Sequence, residues 1–153
     1  MLELEAVSKR VGGSHHLSEI SMRLTPGSLN VLLGPTLSGK TSLMRVMAGL
    51  DRPTSGVVRV DGEDVTGAPV QSRDIAMVYQ QFINYPALTV FENIASPMRI
   101  AKKSKAEINE TVARVAALMR LEHYLDRLPL QLSGGQQQRT ALARAMAKND
   151  KLV

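Results

Sequence analysis

The sequence predicts an α/β fold built around a phosphate-binding loop, and three observations lead there. The stretch Gly34-Pro35-Thr36-Leu37-Ser38-Gly39-Lys40-Thr41 fits the pattern of glycine, four residues, glycine, lysine, then serine or threonine. The apolar run Val31-Leu32-Leu33 precedes it and the helix-forming run Ser42–Leu50 follows, so the local order is strand, loop, helix. Strand-like segments fill the chain as far as Tyr79, whereas helical spacing takes over from about Tyr85 to Leu132.

Each part of the loop has a chemical reason. Glycines let the backbone turn tightly and bring N–H groups close to phosphate oxygens. The helix that follows points its positive N-terminal end at the same anion. Lys40 can reach the outer phosphates, and the Thr41 hydroxyl is placed to ligate Mg²⁺. The plain alternative is a glycine-bearing turn that matches by accident; the flanking strand and helix argue for the phosphate.

The elements read in order as follows. Leu2–Val7 alternates loosely as a strand, Ser8–Ser14 is turn chemistry, and Leu17–Leu24 is a second strand. Thr25-Pro26-Gly27 turns the chain into a strand over Leu29–Leu33 that feeds the loop. The helix after the loop is expected to stop near Gly49, with Pro53 beyond it. Gly56–Val60 is a strand ending in an Asp61-Gly62 hairpin turn, and Ile75–Tyr79 is another strand. Thr89-Val90-Phe91-Glu92 and Ser104-Lys105-Ala106-Glu107 have the spacing of capping boxes and open two helices. Ile108, Val112, Val115 and Met119 then share one helical face.

Composition narrows the classes. At 153 residues the chain has room for one domain with a sizeable core. Its 44% hydrophobic and 22% charged residues are ordinary for a soluble globular protein. There is no apolar run of about 18 residues, and Met1-Leu2-Glu3-Leu4-Glu5 lacks the regions of a signal peptide. Without cysteine there is no disulfide, thiolate metal site or cysteine nucleophile. A cytoplasmic location is expected. The net charge of +5 raises the question of nucleic acid. Basic residues are scattered, however, and Lys102-Lys103-Ser104-Lys105 reads as a solvated helix start. Aromatics at 3% leave few platforms for stacking bases, so no nucleic-acid partner is expected.

A second chemical signal is Leu132-Ser133-Gly134-Gly135-Gln136-Gln137-Gln138-Arg139, whose serine and two glycines stand before the helix-forming run Gln136–Lys148. It puts a hydroxyl and free N–H groups at a helix start, another place for an anion. Taken alone, Ser133 is equally well an N-cap.

On these residues the sequence resembles the ATP-binding subunits of ABC transporters, over essentially the whole chain. Gly34–Thr41 is similar to the family's Walker A loop and Leu132–Arg139 to its signature motif. Gln80, in Val78-Tyr79-Gln80-Gln81-Phe82, is similar to the Q-loop glutamine. Tyr85–Ile94 and Ala141-Leu142-Ala143-Arg144-Ala145 resemble the sugar-importer branch. The resemblance implies a P-loop NTPase fold with an ABC-ATPase core, residues 1–84 and 133–153, and an inserted helical subdomain, about 85–132. It implies ATP and Mg²⁺ as ligands. Gly34, Pro35, Thr36, Leu37, Ser38, Gly39, Lys40, Thr41 and Ser42 would hold the phosphates, and Thr41 and Gln80 the Mg²⁺. Gln80 would also place the attacking water, and Ser133, Gly134 and Gly135 would grip the nucleotide of a second ATPase domain paired head to tail. Transmembrane permease subunits would dock around Gln80–Ser96, which makes the protein peripheral on the inner face of the cell membrane. Import of a carbohydrate or similar solute is the implied task. A DNA- or ribosome-associated ATPase with the same head is the competing class, and the interval from Lys40 to Ser133 lacks the heptads that DNA-repair members carry.

The chain departs from the family at three places. Val11 stands where an aromatic ring usually stacks on adenine, a loss of about 0.5–1.5 kcal/mol by analogy with aromatic pairs; His15 and His16 read as solvated turn residues and are not assigned to the base. Leu37 stands where many members have glycine. Finally, Asp150-Lys151-Leu152-Val153 is similar to the start of the Walker B strand. The C-terminal part of the core, with an Mg²⁺-binding aspartate, a catalytic glutamate and a switch histidine, is expected beyond Val153 in a longer subunit. The competing possibility is an inactive fragment. On either view these residues alone are expected to bind Mg-nucleotide weakly, to hydrolyse it slowly or not at all, and to expose apolar patches.

Overall fold

In a computed structural model, the protein is described at residues 1–70, 73, 75–79, 81 and 83–148. The chain forms two compact units, Met1–Asp74 and Ile75–Val153. Among the described residues, no helix is long and apolar enough to cross a membrane.

The first unit is an antiparallel sheet with one helix. Strands β1 (Leu2–Val11), β2 (Ser14–Arg23), β3 (Ser55–Val60) and β4 (Glu63–Asp64) lie in the order β2-β1-β3-β4. Helix α1 (Lys40–Met47) follows the loop. Leu2, Leu4 and Val7 of β1 are buried with Leu17 of β2, Val58 of β3, and Leu43 and Val46 of α1. Helix α1 ends as expected at Gly49: its N–H donates to the Val46 carbonyl (3.1 Å) while that of Leu50 reaches Arg45 (2.9 Å). Arg73 is buried against this end, its Nη1 donating to the Val46 carbonyl at 3.2 Å.

Three expectations for this region need correction. β1 does not yield to a turn at Ser8 but runs to Val11, because Ser8 pairs with Ser55 and Lys9 with Leu17. Leu29–Leu33 forms no strand: among the described residues none pairs with it, and Leu29, Val31 and Leu33 are 92%, 71% and 84% exposed. In the second unit, Ile75–Tyr79 likewise has only an isolated bridge at Ile75. Apolar runs supply strand propensity, but a strand needs a neighbour to take its N–H and C=O groups.

The second unit is helical, with α2 (Val90–Ile100), α3 (Lys105–Met119) and α4 (Gly134–Lys148). Both capping boxes are present: Thr89 and Ser104 accept from the N–H groups of Glu92 and Glu107, whose carboxylates accept in return. Ile94 of α2, Val112 and Val115 of α3, Leu121, and Ala143 and Ala147 of α4 build the core. Alanines on α4 leave room for the neighbouring helices to come close. Pro97 inside α2 removes the N–H that would serve the Asn93 carbonyl, and the Ser96 hydroxyl donates to that carbonyl instead, at 2.8 Å.

Candidate functional site

The loop Gly34–Thr41 closes on itself in the first unit. Lys40 Nζ donates to the carbonyls of Gly34 (2.8 Å) and Pro35 (2.6 Å) and lies 3.4 Å from Ser38 Oγ. The ammonium thus already sits across the mouth of the loop, where phosphate oxygens could replace the carbonyls. Gly34 is needed for closeness, since a Cβ there would stand 2.8 Å from Ser38 Oγ. Gly39 is needed twice over. Its φ is +86°, and a Cβ would meet the His16 carbonyl oxygen at 2.3 Å.

Gly39 is also the N-cap of α1, and it provides no side-chain acceptor. The first-turn N–H groups of Lys40, Thr41 and Ser42 therefore keep their pull on an anion, and no acidic side chain in that turn competes. Thr41 is exposed beside Lys40, while Ser42 is half-buried. Pro35, Thr36 and Leu37 form the exposed rim. Leu37 is 99% exposed at φ +67°, in the left-handed region that glycine would occupy without strain. This cradle suits a polyphosphate: glycine-only approaches, a helix N-terminus and one lysine converge. Its donor set for Mg²⁺ is thinner. Among the described residues no group of three or more histidines and carboxylates is placed to hold a metal, so Thr41 and phosphate oxygens would be the ligands on this side. Gln80, assigned by sequence to both metal and water, lies outside the described residues.

Ser133–Gly135 belongs to the second unit. Helix α4 starts at Gly134, two residues earlier than the sequence suggests, which draws both glycines into its first turn. Ser133 Oγ accepts from Gln136 N (3.3 Å), and Gln136 Oε1 accepts from Ser133 N (2.8 Å). The N-cap reading of Ser133 is therefore correct, and it leaves the exposed N–H groups of Gly134 and Gly135 for an anion. Arg139 holds the helix in place by donating to the Met119 carbonyl at the end of α3, at 3.1 Å.

The Tyr85–Ile94 segment is organised by Asn93, which no pattern in the sequence singles out. It is fully buried, accepts from Tyr85 N (2.8 Å), and donates to the carbonyls of Tyr85, Leu88 and Thr89. Arg144 lies over the Tyr85 ring, 5.0 Å from its centroid, and donates to the Ile83 carbonyl. Burial lowers its pKa from the ordinary arginine value, and Tyr85 opposes that. These residues border a cavity of about 340 Å³ lined by Val78, Ile83, Tyr85, Pro97, Ile100 and Arg144, among others.

Comparison with known proteins places these features in a family. Residues 17–153 match the ABC transporter family model. The chain is 41% identical over 152 residues to the Fe(3+) ions import ATP-binding protein FbpC 1 of Pectobacterium atrosepticum, covering 99% of this chain and 43% of that protein. It is 42% identical over 151 residues to the alpha-glucoside transport ATP-binding protein AglK of Rhizobium meliloti, covering 99% and 42% respectively. The chain thus spans under half the length of these curated relatives. Among solved structures, the ATP-binding cassette MJ0796, in a dimeric post-hydrolysis state bound to ADP and Pi, superposes with a TM-score of 0.87 at 33% identity, over 98% of this chain and 71% of that one. From the loop closed by Lys40, the helix start at Ser133 and a family match running from Leu17 to Val153, the chain belongs to the ABC transporter family.

Proposed function

We propose that the chain is the ATP-binding part of an ATPase subunit that powers an ABC importer for a carbohydrate or similar solute. The observation that carries the nucleotide reading is the loop itself, with Lys40 Nζ held over the Gly34 and Pro35 carbonyls beside the uncapped start of α1. In this reading Lys40 and the N–H groups of Gly39–Ser42 hold the phosphates, and Thr41 with Gln80 holds Mg²⁺. Bound Mg²⁺ would bridge phosphate oxygens and offset their charge. Gln80 places the attacking water. Ser133, Gly134 and Gly135 face the nucleotide of a second ATPase domain, a pairing supported by the dimeric state of MJ0796. Residues 1–84 and 133–153 are assigned to the core and about 85–132 to the helical subdomain.

Permease subunits dock on the segment Gln80–Ser96, which holds the protein on the inner face of the membrane; the cavity bordered by Ile83, Tyr85 and Pro97 supports this. The importer assignment draws on the name of the iron relative, and the carbohydrate assignment on that of the alpha-glucoside relative and on Tyr85–Ile94. Hydrolysis coupled to transport is assigned to the paired, membrane-docked assembly. The chain alone is read as binding nucleotide without turning it over.

Equilibrium binding of fluorescent ADP with Mg²⁺, compared between the wild type and Lys40→Ala, tests the core of this reading. Loss of a charge-assisted contact of about 1.5–3 kcal/mol should weaken binding at least about tenfold. Equal affinities would overturn the nucleotide assignment. A Lys40-dependent turnover near about 1 s⁻¹ by the chain alone would overturn the assignment of hydrolysis to the assembly.

A further inference from the structure

We propose that His16 is a positioning residue of the phosphate loop, which couples nucleotide affinity to pH through Ser42. The proposal rests on the nucleotide reading above and deepens it. Its starting point is a register shift. Arg10 of β1 pairs with His15 of β2, and the next residue back, Lys9, pairs with Leu17. One step on β1 therefore opposes two on β2, and His16 is the extra residue of a β-bulge. A bulge re-aims the backbone and side chain of its extra residue away from the regular ladder.

Both of the re-aimed groups meet the phosphate loop. The His16 carbonyl lies so near Gly39 that a Cβ there would stand 2.3 Å from its oxygen. The imidazole Nδ1 lies 3.1 Å from Ser42 Oγ, in the first turn of α1. Leu17, the next residue, is buried, and its Cδ2 would stand 3.3 Å from a Cβ at Gly39. The imidazole is exposed to solvent.

The chemistry of this contact depends on protonation. With Nδ1 unprotonated, the Ser42 hydroxyl donates its only proton to the ring. In the imidazolium, Nδ1–H donates instead, and the Ser42 proton is released to a phosphate oxygen. The same step adds a positive charge beside the loop, so both effects favour the anion. β1 brings Lys9 and Arg10 beside the bulge and α1 carries Lys40 two residues before Ser42; Glu3 and Glu5 of β1 and Arg45 of α1 lie further along these elements, and His15, Glu19 and Arg23 lie on β2 itself. Nucleotide binding tightens as the pH falls.

The test is the dissociation constant of fluorescent ADP with Mg²⁺ at about pH 6 and about pH 8, at fixed ionic strength, for the wild type, His16→Ala and Ser42→Ala. The nucleotide's own phosphates titrate equally in all three, so only differences between proteins matter. Loss of the charge and of its hydrogen bond together should make the wild-type pH ratio about three- to tenfold larger than that of His16→Ala. His16→Ala should show the smallest ratio and Ser42→Ala an intermediate one, because the serine variant breaks the relay but keeps the charge of the imidazolium. The backbone carbonyl, not the side chain, supports Gly39, so His16→Ala should keep the loop's shape. If it does not fold, Ser42→Ala still decides. Equal pH ratios in the wild type and the folded variants would overturn the proposal. Lys40→Ala separates the two failures. If it abolishes binding at both pH values while the ratios stay equal, the His16 relay alone is wrong. If it leaves binding intact, the nucleotide site itself is wrong.

Discussion

Replacing Leu37 by glycine should stabilise the protein. Leu37 sits in the loop Gly34–Thr41 at φ +67° with its side chain 99% exposed, so it carries backbone strain and gains almost nothing from packing. The left-handed conformation costs an L-residue about 1–2 kcal/mol. Glycine gives back about 0.4–1 kcal/mol through the greater freedom of the unfolded chain. The difference is a net gain of about 0.5–1 kcal/mol, or a rise in Tm of about 1–4 °C for a chain of this size. Urea denaturation followed by circular dichroism would measure it. Leu37→Ala is the control: it removes the exposed side chain but keeps the Cβ that causes the strain, and should stay within about 0.5 kcal/mol of the wild type. If alanine stabilises as much as glycine, the gain comes from losing a solvent-exposed leucine, and the strain argument fails. If glycine destabilises, the left-handed geometry is not a cost to this loop at all.

Two further predictions concern the ends of helices. Arg45 donates from Nε and Nη2 to both carboxylate oxygens of Asp51 at 2.8 Å, and this hydrogen bonding outweighs burial in holding the Asp51 pKa below its ordinary value. A lowered pKa means that the pair's stabilisation is complete above the unfolded value of about 3.9 and is lost as pH falls through the lower folded value. Asp51→Asn should therefore cost about 0.5–1 kcal/mol near neutrality for this partly exposed pair, and the gap to the wild type should close below about pH 4 in urea melts; a gap independent of pH would remove the ion pair from the account. Ser133→Ala should cost about 0.5–2 kcal/mol by leaving Gln136 N without its cap. Ser133→Asn should recover most of that, and no loss in the alanine variant would show that the capping box contributes nothing to α4.

What could be read before the fold was known follows from the range of each interaction. The loop Gly34–Thr41 and the boxes opened by Thr89 and Ser104 are made by residues three to six positions apart, so their spacing in the chain is nearly their spacing in space. The end of α1 at Gly49 and the apolar face of Ile108, Val112 and Val115 were legible for the same reason. Family resemblance adds the partners of these motifs only as proposals, because a motif names chemistry and not the assembly around it.

Strands were the harder part. Leu29–Leu33 and Ile75–Tyr79 have the composition of strands, yet pairing depends on a neighbour that no local pattern specifies. The same non-local dependence hid His16. Its spacing from Gly39 and Ser42 says nothing of contact, and it reaches them only because β1 and β2 slip by one residue between Lys9 and Arg10. Asn93 was hidden in another way: an amide in a helix is usually exposed, and only the closure of Tyr85–Thr89 over it reveals four hydrogen bonds. Sequence by itself determined the closed loop Gly34–Thr41, the capping boxes that open α2 and α3, and the family, all carried by short-range spacing. Tertiary structure alone decided strand register, the bulge that brings His16 to Ser42, and the strain at Leu37, because each depends on backbone geometry or on residues distant in the chain.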